Sequence, residues 1–154
     1  MDDTALRILV VDNHRDSADS LTMLLKLWGH DAMQAYDGET AIAIVPGFDP
    51  DIVVIEIRMP QMDGYELARR LSSQSRRSPM HIIAVTVYGQ AQDVRRAYEA
   101  GFDCHLLKPV EETALKAVLA RYGKRREHQM RLVRGLTGPA WTLGITCDGS
   151  VCGR

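Results

Sequence analysis

Five polar side chains that could do chemistry follow apolar segments of the chain, each at the C-terminal end of its segment. They are Asp12 and Asn13 after the first segment, Glu56 after the third, Thr86 after the fourth and Lys108 after the fifth. The carboxylate and amide oxygens can bind a hard cation, and a carboxylate can also act as a nucleophile. The hydroxyl and the ammonium can donate hydrogen bonds to an anion. This chemistry requires that the side chains meet at one place in the fold.

The segment that carries Glu56 predicts how they meet. Residues 52–57 are apolar and β-branched except for Glu56, a composition typical of a central parallel strand covered on both faces. Pro60 ends the pattern, and Asp63 is placed to cap the helix that follows. A carboxylate at the end of a buried strand loses solvation, so its presence there requires an explanation.

Apolar strands alternate with helical segments five times along the chain. Strands are predicted at 7–11, 31–36, 52–57, 81–87 and 104–107. The alternation predicts an α/β fold with a doubly wound parallel sheet, and right-handed crossovers favour the flavodoxin-like strand order 2-1-3-4-5. The carboxyl ends of such strands border one crevice, which places the five polar side chains together.

Two local features of the helices are also predicted. Pro46-Gly47 should end the second helix, because proline lacks the N–H that a helix interior requires. The inward face of the fourth helix should consist of Val94, Ala97 and Tyr98.

The composition of the chain changes near Gly123. Hydrophobic residues make up 45% and charged residues 25% of the 154 residues, as in one globular domain. We assign residues 5–123 to this domain. Residues 124–154 form a basic C-terminal tail that we expect to be partly disordered or a short extension.

The sequence carries no signal for export or for membrane insertion. Residues 1–4 lack the start of a signal peptide, and no apolar run approaches the ~20 residues that span a bilayer. The 3 cysteines, an odd number, do not describe a disulfide framework. We therefore expect a cytoplasmic protein with reduced thiols and no membrane partner.

Four motifs in the chain are characteristic of one protein family. They are Val10-Val11-Asp12, Met59-Pro60-Gln61-Met62-Asp63-Gly64-Tyr65-Glu66, Ala84-Val85-Thr86, and Gly101-Phe102-Asp103 leading to Leu107-Lys108-Pro109. Together they resemble the response-regulator receiver domain of two-component signalling, over roughly residues 5–122. Receivers accept a phosphoryl group on an aspartate and act as binding modules, so the resemblance implies a signalling protein and not an enzyme.

The resemblance implies a role for each polar residue at the strand ends. Glu56 occupies the phosphoacceptor position. Asp12 and Asn13 occupy the acidic pair that binds Mg²⁺, and Glu56 and the backbone carbonyl of Arg58 would complete the metal ligands. Thr86 would hydrogen-bond the phosphoryl group.

Further roles and partners follow from the same resemblance. Lys108 would pair with the phosphoryl group, and His105 occupies the position of the family's switch aromatic, near Tyr88. A sensor histidine kinase or another signalling protein would bind the surface of the fourth helix, fifth strand and fifth helix. A homodimer is a further possible assembly. Nucleic acid is not an expected partner, because the basic run at 124–126 suits a solvated helix.

Two departures from the family pattern fall on the chemistry itself. Glu56 stands where the family has aspartate, and Asn13 stands where it has an acid. An extra methylene displaces the carboxylate in a site where about 1 Å can cost about 100-fold in rate. Asn13 removes one negative charge from the metal pocket, so we expect weak or absent Mg²⁺ binding and a pseudo-receiver that is phosphorylated poorly or not at all.

Several alternatives stay open at this point. Glu56 could imitate the phosphorylated state by reaching toward Thr86 or Lys108, which would hold the switch partly on. It could instead form an ion pair with Lys108 in an inert fold, or be an introduced replacement. The chain could be the receiver segment of a hybrid histidine kinase, and a flavodoxin-like protein that binds a small ligand is a remote alternative.

Overall fold

The computed structural model describes residues 5–74 and 79–133. Strands and helices alternate five times in it, as the sequence predicts. The strands are β1 (Arg7–Val11), β2 (Asp31–Ala35), β3 (Ile52–Glu56), β4 (His81–Thr86) and β5 (Cys104–Leu107). The helices are α1 (Arg15–Leu27), α2 (Gly38–Phe48), α3 (Gly64–Ser72), α4 (Ala91–Ala100) and α5 (Glu112–Val133).

The strands form one parallel sheet in the order β2-β1-β3-β4-β5. This confirms the prediction of a doubly wound, flavodoxin-like fold. β3 lies in the middle, with Val54 opposite Val10 of β1 and Ile83 of β4. All of its residues are buried, which explains why its side chains are apolar on both faces up to Glu56.

Helices cover both faces of the sheet and create two apolar layers. Val53 and Ile55 of β3 pack in the layer with α2, α3 and α4, whereas Ile52 and Val54 pack in the layer with α1 and α5. Each of these four side chains is at most 2% exposed. Burying one such side chain contributes about 1.5–3 kcal/mol, so a shifted register that exposed β3 would be costly.

The predicted end of α2 is wrong. The helix continues past Pro46 to Phe48, whose side chain is buried in the core. Asp49 then closes the helix in a left-handed conformation, and its N–H donates to the carbonyl of Val45 at 2.9 Å. Burial of Phe48 and this terminal hydrogen bond offset the hydrogen bond that Pro46 cannot donate.

The predicted inward face of α4 is wrong at one position. Val94 and Ala97 are buried, as expected, but Tyr98 is 37% exposed. Ala100 takes the third buried position of the helix instead. Val94, Ala97 and Ala100 share one buried face of the helix, and at 3.6 residues per turn Tyr98 points about 100° away from the centre of that face.

α5 continues through Gly123, where the change in composition suggests a domain boundary. Its last residue, Val133, lies within the predicted tail. The division into 5–123 and 124–154 stays a prediction, and residues 134–154 lie outside the described part of the chain. Of the described helices, none combines the length and the apolar character that crossing a membrane requires.

The turn after β3 brings the backbone so close to itself that only glycine fits at one position. The N–H of Gly64 donates to the carbonyl of Ile57 at 2.7 Å. A Cβ on Gly64 would lie 2.6 Å from the Cα of Ile57 and 2.8 Å from the carbonyl oxygen of Glu56. Asp63 caps α3 as predicted, by accepting from the N–H of Glu66 at 2.9 Å. The start of α3 is therefore fixed against the backbone that carries Glu56.

Gly64→Ala is expected to lower the free energy of unfolding by about 1–3 kcal/mol, because backbone atoms must shift to admit the methyl group. Gly47→Ala is the matched control, since nothing lies within 4 Å of its added Cβ and alanine favours a helix interior by about 1 kcal/mol. Urea denaturation measures both variants. A Gly64→Ala protein as stable as the parent would contradict the close approach.

Candidate functional site

The ammonium of Lys108 bridges two carboxylates at the carboxyl ends of the strands, in a region that we call the strand-end crevice. Lys108 Nζ lies 2.7 Å from Oε2 of Glu56 and 3.2 Å from Oδ2 of Asp12. Glu56 ends β3, Asp12 follows β1 and Lys108 follows β5. The structure thus brings together three residues that the sequence predicted to meet.

The second oxygen of each carboxylate accepts a hydrogen bond from the backbone. The N–H of Arg58 donates to Oε1 of Glu56 at 3.0 Å, and the N–H of His14 donates to Oδ1 of Asp12 at 2.9 Å. All four carboxylate oxygens are therefore engaged by donors. The Glu56 and Asp12 side chains are each only 9% exposed, so loss of a donor would leave a buried acceptor unsatisfied.

The charges of the two carboxylates keep Lys108 protonated. Burial alone would lower the pKa of Lys108, but hydrogen bonds and charges from Glu56 and then Asp12 outweigh it and raise the pKa above its ordinary value. Two carboxylates and one ammonium give the strand-end crevice a formal charge of −1. The crevice therefore favours a further cation over an anion.

Thr86 lies at the end of β4, but its hydroxyl serves the loop that follows. Its side chain is fully buried, and Oγ1 accepts from the N–H of Tyr88 at 3.3 Å. The carbonyl of Thr86 accepts from the N–H of Lys108 at 2.9 Å, which joins the ends of β4 and β5. Within the described residues, Thr86 and Glu56 share no hydrogen bond. Of the two side chains that are predicted to donate to a phosphoryl group, Glu56 contacts Lys108 but not Thr86.

The oxygen atoms around Asp12 fit a hard cation in donor type. Asn13 Oδ1 is buried and has no hydrogen-bond partner in the described part of the chain. Together with the carboxylates of Asp12 and Glu56 and the carbonyl of Arg58, it would offer the all-oxygen set that Mg²⁺ accepts. The Lys108 ammonium contacts both carboxylates and would compete with Mg²⁺ for them.

The two predicted switch residues differ in exposure. His105 is fully buried, whereas Tyr88 is 40% exposed and lies under the guanidinium of Arg58, 4.7 Å from the ring centroid. Burial lowers the pKa of His105, while the charge of Asp93 and the backbone of Tyr88 act in the opposite direction. The sequence reasoning gave Arg58 only a backbone role, because no local pattern links it to Tyr88.

A cavity of about 540 Å³ opens beside the strand-end crevice. Leu21 and Leu24 of α1, Val110 after β5 and Val87 after β4 contribute apolar walls, and Lys108 lies in the lining. Sequence reasoning missed the contribution of α1, because its apolar stripe predicts only that the helix packs on the sheet. The carboxylates are thus reached through a mainly apolar opening.

The fold and the strand-end crevice define a class of protein: a doubly wound α/β domain with acids at the ends of β1 and β3 and a lysine at the end of β5. A family model described as response regulator receiver domain matches residues 8–120. The chain belongs to the response regulator receiver family and is a receiver of two-component phosphorelay signalling.

Curated relatives and solved structures agree with this family. The chain is 34% identical to protein PilH of Pseudomonas aeruginosa over 115 residues, which cover 74% of this chain and 95% of PilH. It is 36% identical to the sensor histidine kinase RcsC of Salmonella typhi over 120 residues, which cover 78% of this chain and 12% of RcsC. A CheY-like receiver from Methanospirillum hungatei superimposes with a TM-score of 0.73 at 25% identity, covering 81% of this chain and 98% of that one.

The relatives differ greatly in total length. RpaA of Synechocystis is described as a DNA-binding dual master transcriptional regulator, and the chain is 31% identical to it over 119 residues. This match covers 75% of this chain but only 49% of RpaA. The matched region therefore makes up 95% of PilH, 49% of RpaA and 12% of RcsC. The family match favours a receiver over the flavodoxin-like small-ligand alternative.

Lys108→Met is expected to lower the melting temperature and to create a response to Mg²⁺. The variant leaves Asp12 and Glu56 without their ammonium, so a divalent cation should bind there and restore stability by mass action. Thermal melts with and without Mg²⁺ measure the effect, with the exposed Lys26→Met as a matched control. An equal Mg²⁺ response in the parent and in Lys108→Met would show that Lys108 does not compete with the cation.

Proposed function

We propose that this receiver accepts a phosphoryl group poorly and acts through protein–protein contact, not by catalytic turnover. The observation that carries the proposal is the 2.7 Å contact between Lys108 Nζ and Glu56 Oε2. This contact occupies one acceptor oxygen, and the N–H of Arg58 occupies the other. Glu56 is therefore held in an ion pair at the position where the family uses aspartate.

Phosphorylation of Glu56 would require this ion pair to open. A carboxylate oxygen must attack phosphorus in line, form an acyl phosphate and release the leaving group of the donor. Thr86 and Lys108 would then donate to the phosphoryl oxygens, which requires Lys108 to leave its present geometry. Bound Mg²⁺ would neutralise charge on the phosphoryl group, but Asn13 supplies no negative charge to hold it.

The proposed docking surface consists of α4, β5 and α5. Large apolar side chains are exposed on it and on the loop before α4, namely Val87, Tyr88, Tyr98 and Leu107. Exposed apolar groups of this size suit contact with another protein. The proposed partner is a sensor histidine kinase or another signalling protein, a second copy of the chain is the alternative occupant, and we place the protein in the cytoplasm.

A phosphomimetic receiver is the second candidate. The contact of Glu56 with Lys108 favours it, because the family resemblance assigns Lys108 to the phosphoryl group. The absence of a hydrogen bond from Thr86 to Glu56 in the described residues limits the mimicry. A glutamate also carries about one charge where a phosphate carries nearly two.

Phosphoryl acceptance should be restored when position 56 is shortened to aspartate and position 13 is changed to an acid. We expect Glu56→Asp combined with Asn13→Asp to be phosphorylated by acetyl phosphate and Mg²⁺ at least about 100-fold faster than the parent. Intact-mass spectrometry over time measures the rates, and Glu99→Asp on the exposed face of α4 is the matched control. Ready labelling of the parent would overturn the proposal of poor acceptance.

The same proteins separate an inert receiver from a phosphomimetic one. Affinity for a cognate histidine kinase or partner protein is measured for the parent and for the double variant before and after phosphorylation. If the parent matches only the phosphorylated variant, Glu56 imitates the phosphorylated state. If it matches the unphosphorylated variant, the ion pair holds an inactive form.

A further inference from the structure

A second charged site lies on the other side of the loop after β3. This arginine cleft, which lies between that loop and α4, has a volume of about 440 Å³. Arg58, Pro60, Asp63, Tyr65 and Arg96 line it. The volume falls within the range of small-molecule sites.

Both guanidinium groups of the arginine cleft are held by aromatic rings. Arg58 lies over Tyr88 with Cζ 4.7 Å from the ring centroid, and Arg96 lies over Tyr65 at 4.3 Å. Stacking restricts the side chains without using the N–H donors at the edge of each guanidinium. The two groups are therefore oriented before any ligand arrives.

Neither of these arginines forms a carboxylate ion pair within the described residues. Arg70 shows the usual surface arrangement, with Nη1 3.0 Å from Glu39 and Nη2 2.7 Å from Glu66. A guanidinium has five N–H donors, and those of Arg58 and Arg96 contact no acid within 4.0 Å in the part of the chain that the structure describes. They are available to an anion.

Two acids, one in the lining of the arginine cleft and one on α4, cap helices. Asp63 lines it, and Oδ1 accepts from the N–H of Glu66 at the start of α3. Asp93 accepts from the N–H of Gln90 at 3.2 Å in the capping box of α4. Two arginines and one aspartate leave the lining with a formal charge of +1, opposite in sign to the strand-end crevice.

We propose that the arginine cleft binds a small organic phosphate monoester. A guanidinium donates parallel N–H bonds to the oxygens of a phosphate, and the net positive charge of the lining is opposite in sign to that of the phosphate. Pro60, which is exposed, supplies apolar surface for the organic part. A monocarboxylate offers one charge and two acceptor oxygens, fewer than a phosphate offers.

Arg58 connects this ligand to the strand-end crevice. Arg58 is part of the lining of the arginine cleft, and its N–H donates to Oε1 of Glu56. The ring on which it stacks belongs to Tyr88, whose N–H donates to Thr86. A bound phosphate ester therefore contacts a residue whose backbone holds the phosphoacceptor position.

Phenyl phosphate is the probe, and ¹H–¹⁵N spectra of the whole chain at constant ionic strength report binding. We expect saturable shifts at the amides of Tyr65 and Arg96, and at least tenfold weaker binding for both Arg58→Gln and Arg96→Gln. Arg70→Gln is the matched control and should bind like the parent. Thermal melts confirm that each variant is folded.

Three results would overturn the proposal. Binding that does not saturate, or that weakens equally in Arg70→Gln, would reduce the effect to general attraction between charges. Equal affinity for phenylacetate would exclude selectivity for phosphate. Equal affinity for inorganic phosphate would overturn the assignment to an organic ester.

Discussion

The bridge from Lys108 to Glu56 and Asp12 is the interaction on which the strand-end crevice depends. It joins side chains from three strands, and each is carried to the crevice by a buried segment of the sheet. Without the ammonium, two carboxylates that are each 9% exposed would face one another in a region of low dielectric. Their own hydrogen bonds to backbone N–H groups stabilise the charges but do not neutralise them.

The same bridge links stability to the loss of chemistry that we propose. A glutamate at the end of β3 places one oxygen on the N–H of Arg58 and the other on Lys108. The arrangement satisfies the buried carboxylate fully, which is favourable for folding. A nucleophile needs the opposite, because it must give up a donor as it attacks.

Two regions of opposite charge share the loop after β3. The strand-end crevice has a formal charge of −1, and the lining of the arginine cleft has a formal charge of +1. Arg58 belongs to both, because its N–H donates to Glu56 and the residue is part of the lining of the arginine cleft. The close packing of Gly64 against Ile57 holds this loop against the sheet.

The amino-acid sequence was sufficient to predict the family, the strand order and the meeting of Asp12, Glu56 and Lys108. It could do so because parallel strands with right-handed crossovers leave few arrangements, and their carboxyl ends share one edge. Three features could be seen only in the tertiary structure. They are the continuation of α2 beyond Pro46, the contact of Lys108 with both carboxylates and the stacking of Arg96 on Tyr65. Each depends on distances between residues far apart in the chain, and those distances are set by packing, which local sequence patterns do not encode.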